Sequence, residues 1–396
     1  MSADPGTSWS SREPLVVGVP TEIKDDEFRV AVTPDGVREA STHGITVLLE
    51  SGAGDGSRID DDAYRASGAK IVTSAAEVWE RADIVCKVKE PQPAEFGLLR
   101  PGLTLFTYLH LAAYPEVADA LLSHGVTGIA YETVQDERGM LPLLAPMSEV
   151  AGRMAVQVGA HLLERPCGGR GVLMGGVPGV RPARVVVLGA GNVGWNAAWL
   201  AAGLEAEVLL FDRDLDRLRF VDQIHRGRIT TLASNRGAVE RAVGEADLVI
   251  GAVLVAGGRA PQIVTEEMVR TMKPGAVIVD IAIDQGGCVE TSRETTHRDP
   301  TFEAHGVVHY AVGNMPGAVP QTSTYALTNA TLPYLVELAS QGVGAAAAVD
   351  RDLAGGFNTV GGAVTNEAVA GALGRPHVPV AEALAAAGGE ASRTWT

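Results

Sequence analysis

From Leu15 onward, short runs of β-branched and aliphatic residues alternate with longer amphipathic stretches. The runs Leu15–Val19, Ile45–Leu49, Ile84–Val88, Leu103–Tyr108 and Thr127–Tyr131 have the length and residue types of buried strands. Between the first two, Thr33-Pro34-Asp35 offers a hydroxyl cap followed by proline at the first helical position, and Gly44 offers a left-handed stop. A helix is predicted there. Met147 to Arg165 reads as one long helix, and the glycine-rich stretch Gly168 to Pro182 marks a loop or hairpin opening a new unit. A second series of strands follows at Arg184–Leu188, Glu207–Phe211, Asp247–Ile250 and Ala276–Ile283. After Pro320 the chain reads as helix again, near residues 323–338, and its Ala-rich tail is assigned to neither sheet.

Strand, helix and strand repeated in this way predict an α/β fold: two doubly wound, Rossmann-like domains with mainly parallel sheets, linked by long helices. The expected division is a flexible N-terminal extension over 1–12, one domain over 13–146 and 320–396, and a second over 147–319. A chain of 396 residues is too long for one ordinary core, which agrees with two domains.

Composition narrows the function. The net charge is 32 − 48 = −16, spread along the chain, which argues against nucleic acid or an anionic membrane as partner. No apolar run approaches the roughly 18–20 residues of a membrane-spanning helix. Asp4, Pro5 and Glu13 sit where a secretory signal would need an apolar stretch, so a cytoplasmic protein is expected. Cys86, Cys167 and Cys288 are odd in number and widely spaced, which reads as reduced thiols and not as a disulfide framework; no metal site is expected.

Within Arg184-VVVLGAGNVG-Trp195, Gly189, Gly191 and Gly194 have the G-x-G-x-x-G spacing of a dinucleotide-binding turn. The first glycine permits the tight turn, the second lets backbone approach a pyrophosphate, and the third lets helix and strand pack closely. Alone the motif is weak, but here it follows a strand and opens an Ala-rich helix. The next strand ends at Asp212, about 20 residues on, where a ribose-binding acid belongs. A carboxylate there repels a 2′-phosphate and favours NAD over NADP, although the adjacent Arg213 could accommodate that phosphate.

Other polar residues fall at or just beyond predicted strand ends. Asp284 follows GAVIVDIAI, and by position alone it serves equally as a turn cap or as a reacting carboxylate. Asn314, after the run Val307–Val312, has the same character. Arg29 suits a bidentate grip on a carboxylate, Lys89 a point charge for a carbonyl oxygen or carboxylate, and His110 proton exchange near neutral pH. Each also has a bland reading: Arg29 paired with Glu22 or Glu27, Lys89 solvated, His110 a satisfied strand-end histidine.

The segments GVPTEIKDDEFRVAVTP, KVKEP, LFTYLHLAA, LPLLAPMSEVAGRMAVQVGA, GGRGVLMGGVPGV, VIGAVLV, KPGAVIVDIAIDQGG and MPGAVPQTSTYALTNATLPY resemble the alanine dehydrogenase family over nearly the whole chain, least after Gln341. The resemblance implies reversible oxidation of L-alanine to pyruvate and ammonium with NAD, closure around substrate, and a homohexamer. It implies substrate binding by Arg29, Lys89 and Met147, and His110 and Asp284 as the acid/base pair. It implies cofactor contacts from Ser148, Gly189, Gly191, Asn192, Val193, Gly194, Asp212, Ser234, Val253, Leu254, Ile281, Asp284, Asn314 and Met315. A related amino-acid dehydrogenase, the soluble NAD-binding component of a transhydrogenase, and an NAD sensor without turnover are the rival readings.

Overall fold

The computed structural model describes residues 15–253 and 260–391; the expected extension over 1–12 and Leu254 lie outside these. The chain divides into two compact units, Met1–Leu144 with Pro320–Thr396, and Ala145–Val319. The first unit contains β1 (Val17–Val19), β2 (Val47–Glu50), β3 (Lys70–Val72), β4 (Ile84–Cys86), β5 (Thr104–Thr107) and β6 (Thr127–Ala130). The second contains β7 (Arg184–Leu188), β8 (Glu207–Asp212), β9 (Thr230–Ala233), β10 (Leu248–Gly251), β11 (Val277–Asp280), β12 (Thr301–Ala304) and β13 (Val307–Tyr310). The chain then returns to the first unit with β14 (Phe357–Val360) and β15 (Ala363–Val364).

In the first unit the sheet order is β15-β14-β6-β5-β4-β1-β2-β3. β1 to β6 are parallel, and β14 joins β6 antiparallel. In the second unit the order is β12-β13-β11-β10-β7-β8-β9, all parallel except β12. Both sheets therefore reverse their strand order once, between β1 and β4 and between β7 and β10. Ligands bind beyond the carboxyl ends of the strands at such a reversal.

Local chemistry explains the element ends. Thr33 accepts the Gly36 N–H at 3.2 Å to open the helix Pro34–Thr42, and Gly44 turns away with φ 73°. The long helix of the second unit is Ala145–Leu162. It stops short of the predicted Arg165 because Pro166 follows and disfavours helical backbone at the residue before it. The predicted strand Ala276–Ile283 ends instead at Asp280, and residues Ile281–Gln285 form a 3₁₀ turn. The buried Asp280 carboxylate makes that turn by accepting the N–H groups of Ala282 at 3.2 Å, Cys288 at 3.0 Å and Val289 at 3.2 Å. Aliphatic side chains beneath each sheet supply the cores, Leu103, Leu105 and Leu121 in one and Val186, Val249 and Ile278 in the other. Burial of these chains is the main stabilising term.

Candidate active site

At the carboxyl edge of the first sheet, four strand ends deliver charged and polar groups. The loop after β1 carries Glu22, Lys24, Glu27 and Arg29; β4 leads to Lys87, Lys89 and Glu90; β5 leads to Tyr108 and His110; β6 leads to Glu132. Because β1 to β6 run parallel, all of these lie along one edge, around the reversal between β1 and β4.

Arg29 is buried and held by Glu27, with Nε donating to Oε1 at 2.6 Å and Nη2 to Oε2 at 2.5 Å. Glu27 is thus one of its two anticipated ion-pair partners. Lys87 is wholly buried between Glu22 Oε2 at 3.0 Å and Glu95 Oε1 at 2.9 Å, and Lys24 is paired with Glu90. Lys89 differs from both: half-buried, its ammonium makes no ion pair or side-chain hydrogen bond among the described residues. Burial and the neighbouring Arg29 and Lys24 cations push it below its ordinary pKa. It is thus a cation with unused hydrogen-bonding capacity.

His110 has φ 48°, a left-handed conformation costly for a residue with a Cβ, and its backbone N–H donates to Glu132 Oε1 at 2.6 Å. Its ring lies 5.7 Å from that of Tyr108, whose hydroxyl is committed to the Leu143 carbonyl at 2.7 Å. Burial, then Lys89, Lys24 and Arg29, push the imidazole pKa down to about 3, so it is neutral near pH 7. This unit thus sets the Lys89 ammonium and a neutral imidazole along the same sheet edge.

In the second unit the turn after β7 carries the glycine motif. Gly189 has φ 106°, and a Cβ on Gly194 would sit 1.7 Å from the Gly189 carbonyl oxygen, so both glycines are demanded by the protein itself. A Cβ on Gly191 would meet nothing closer than 3.7 Å, which leaves open space at the helix start. Asn192 and Val193 form the first turn of the helix Asn192–Gly203. Against that turn packs the helix Ala145–Leu162, where Gly152 has no room for a Cβ because the Val193 oxygen would lie 2.2 Å away. Met147 is buried and Ser148 half-buried near the start of that helix.

Asp212 ends β8 and accepts the Ala190 N–H at 2.6 Å and the Asp214 N–H at 2.8 Å, while Arg217 Nη1 lies 4.0 Å away. Arg213, the cation suspected from sequence, is exposed, and the cation nearest Asp212 is Arg217. Ser234 follows β9 and donates its N–H to the Asp212 carbonyl at 2.8 Å; Val253 follows β10. Ile281 and Asp284 occupy the turn after β11, and Asn314 (φ 57°) and Met315 follow β13. The carboxylate capping the turn after β11 belongs to Asp280, and Asp284 is exposed with Oδ1 3.2 Å from where a Cβ on Gly313 would sit. These residues form one row along the carboxyl edge of the second sheet.

Sequence reasoning passed over Lys24, Lys87 and Glu132, and it treated Glu27 only as a neutralising partner. For Lys24, Glu27 and Lys87 the signal was available in the alternation of acids and bases around the first and fourth strand ends, TEIKDDEFR and KVKE; Glu132 lies in neither segment.

The profile "Alanine dehydrogenase/PNT, N-terminal domain" matches residues 18–151, and "Alanine dehydrogenase/PNT, C-terminal domain" matches residues 155–367. An alanine dehydrogenase of Mycolicibacterium smegmatis is 57% identical over 371 residues, covering 94% of this chain and 100% of that protein. The alanine dehydrogenase of Bacillus subtilis is 56% identical over 371 residues, covering 93% of this chain and 98% of its own. A solved L-alanine dehydrogenase structure superposes with a TM-score of 0.88 at 51% identity, covering 91% of this chain and 99% of that one. With both halves matched and relatives this similar over nearly full length, the chain belongs to the alanine dehydrogenase/PNT family.

Proposed function

We propose that the protein is an NAD-dependent L-alanine dehydrogenase that interconverts L-alanine with pyruvate and ammonium, working in the cytoplasm as a homohexamer. Residues 13–146 and 320–396 act as the substrate domain and 147–319 as the NAD-binding domain. The observation that carries this reading is the grouping of Arg29, Lys89 and His110 at one strand-order reversal. It is joined by near-full-length likeness to alanine dehydrogenases. Among the described residues no helix is long and apolar enough to cross a membrane, and Cys86, Cys167 and Cys288 are free.

The second unit fits a dinucleotide. Open space beside Gly191 at a helix N-terminus suits a pyrophosphate, and Asp212 at the end of β8 suits a ribose hydroxyl. Gly189, Asn192, Val193 and Gly194 shape the turn; Ser148, Ser234, Val253, Ile281, Asn314 and Met315 complete the cofactor groups. When bound, NAD supplies the hydride acceptor.

The chain's own residues do the rest. Arg29 and Lys89 hold the substrate carboxylate by charge-assisted hydrogen bonds and fix its C2 centre, the positioning component of catalysis, and Met147 serves as a further substrate-binding residue. In the pyruvate direction Lys89 and His110 polarise the C2 oxygen. His110 is held neutral by burial and by the surrounding cations, and a bound carboxylate offsets those charges. Substrate therefore raises the proton affinity of the group that must exchange a proton with it. Asp284 accepts a proton from the amine or from the water that attacks the iminium.

The test is NADH oxidation by purified protein with pyruvate, with and without ammonium, then with NADPH. Ammonium-dependent consumption of NADH is expected. NADH binding without turnover would remove the dehydrogenase assignment and favour a carrier or sensor. Light scattering giving six times the chain mass checks the hexamer.

A further inference from the structure

The helix Ala145–Leu162 ends ahead of Pro166, and the turn Arg165–Cys167 with Gly168 at φ 91° folds the chain back so that Cys167 meets His161. Glu164 lies between them in sequence. From this arrangement we infer that His161, Glu164 and Cys167 form a surface site for a divalent metal ion of the zinc class.

The geometry is close to what such an ion needs. His161 Nδ1 lies 4.0 Å from Cys167 Sγ and 3.5 Å from Glu164 Oε1. One ligand atom from each residue falls within 4.8 Å of the others. A tetrahedral centre with a metal–sulfur distance of about 2.3 Å and metal–nitrogen or –oxygen distances of about 2.0 Å sets its ligand atoms roughly 3.3–3.6 Å apart. The imidazole and carboxylate already have that spacing, and small rotations of exposed side chains bring in the sulfur.

The backbone beneath is fixed. The Glu164 carbonyl accepts the N–H groups of Cys167 and Gly169, both at 3.1 Å, and the Leu163 carbonyl accepts that of Gly171 at 2.8 Å. A Cβ on Gly169 would collide with the Leu162 oxygen at 2.1 Å, so the chain passes as close as glycine allows. Arg170 anchors the far side through Asp247 at 2.7 Å. A metal would therefore find its ligands held near their bound geometry without ordering a loop.

The donor set selects the ion. Thiolate, imidazole and carboxylate together suit zinc or cobalt, whereas calcium and magnesium take oxygen ligands. Three protein ligands leave a fourth position to water. Binding converts the Cys167 thiol to thiolate and releases its proton. His161 and Glu164 are exposed, so no buried charge is created.

Cobalt(II) added to reduced, chelator-treated full-length protein tests the site. The expected result is a near-ultraviolet thiolate-to-cobalt charge-transfer band that saturates at one ion per chain and disappears on adding zinc. Cys86 and Cys288 are buried, so the band reports Cys167. Cys167→Ser should abolish it, and His161→Ala or Glu164→Ala should weaken cobalt binding by roughly tenfold or more, each with an unchanged melting curve. No band, or a band that survives Cys167→Ser, overturns the inference.

Discussion

The Arg29 guanidinium lies edge-on against the Glu27 carboxylate two residues away, through Nε–Oε1 at 2.6 Å and Nη2–Oε2 at 2.5 Å, with both side chains buried. Glu27 Oε1 also accepts the Arg29 backbone N–H at 3.1 Å, so one carboxylate ties side chain and main chain of the same arginine. Burial raises the pKa of Glu27, but Arg29 and Lys89 together bring it to about 2. Glu27 is thus ionised and sets the plane in which Arg29 can grip a substrate.

Glu27→Gln keeps the shape and removes the charge. Breaking a buried pair costs about 3–5 kcal/mol when one partner is lost outright, and glutamine retains an acceptor, so the loss of stability should be smaller. The KM for pyruvate should rise about 10–100-fold, in line with about 1.4–2.8 kcal/mol of lost positioning, with kcat changed less. Steady-state kinetics decide it, and an unchanged KM would mean Arg29 does not need this partner. The pH dependence has a definite sign. The folded pKa is depressed, so the pair's contribution is present above about 4.5 and lost as pH falls toward 2. The stability gap between wild type and Glu27→Gln should close over that window.

His110 carries a second prediction. Its folded pKa of about 3 lies below the ordinary 6.5, so the folded protein resists a proton that the unfolded chain accepts. This group therefore makes the fold lose stability as pH drops from about 6.5 toward 3. Lys89→Met removes the cation with the largest effect on His110 and should raise the imidazole pKa. Pyruvate should raise it in the wild-type protein by offsetting Lys89 and Arg29. NMR titration of the His110 ring reads both; a pKa indifferent to Lys89 and to pyruvate contradicts a charge-tuned histidine.

Asp284→Asn should retain NAD binding and lose most turnover, because the side chain keeps its size while losing its capacity to take a proton. Cofactor fluorescence titration alongside kinetics separates the two. Near-full activity in a soundly folded variant would remove Asp284 from the mechanism.

How far these groups could be found without coordinates depended on the kind of signal each leaves. β7 and β8 are legible because consecutive aliphatic residues reach from one turn signal to the next. β3 and β9 are not: Lys70-Ile-Val and Thr230-Thr-Leu-Ala are short, and their polar residues resemble loop. β14 escapes for another reason. Its Thr359 is buried and satisfied by distant backbone, accepting the Gly128 N–H at 3.0 Å and donating to the Val126 carbonyl at 3.1 Å. Such partners lie far off in sequence. Lys87 is the sharpest case, since nothing in the run Ile84–Val88 announces a buried lysine until Glu22 and Glu95 are seen to enclose it. Arg29, Lys89 and His110 were recognisable as positions at strand ends and gained roles only through family resemblance.

Cofactor choice should rest on Asp212. Asp212→Ala removes the acceptor expected for the ribose hydroxyl and leaves Arg217, now 4.0 Å from the carboxylate, facing the vacated space. A hydrogen bond to a charged group contributes about 1.5–3 kcal/mol, so the NADH-to-NADPH ratio of kcat/KM should fall roughly 10–100-fold. The Ala190 and Asp214 N–H groups lose their acceptor in the same variant, so a lower melting temperature is expected as well. An unchanged cofactor ratio would show that Asp212 only shapes the turn.

Two alanine substitutions in one turn should behave oppositely. At Gly194 a Cβ would lie 1.7 Å from the Gly189 oxygen, a backbone atom that cannot swing aside, so Gly194→Ala must separate helix from strand and should destabilise the fold. At Gly191 the backbone has φ −74° and ψ −171°, which alanine adopts readily, and the added methyl meets nothing within 3.7 Å. Gly191→Ala should therefore fold with an unchanged melting temperature. The methyl occupies the space a pyrophosphate would need, so NADH affinity should drop by at least about tenfold, or 1.4 kcal/mol. Thermal melts and NADH titrations of both variants test the pair. Full NADH affinity in a normally folded Gly191→Ala would place the pyrophosphate elsewhere, and with it the hydride acceptor that the proposed reaction requires.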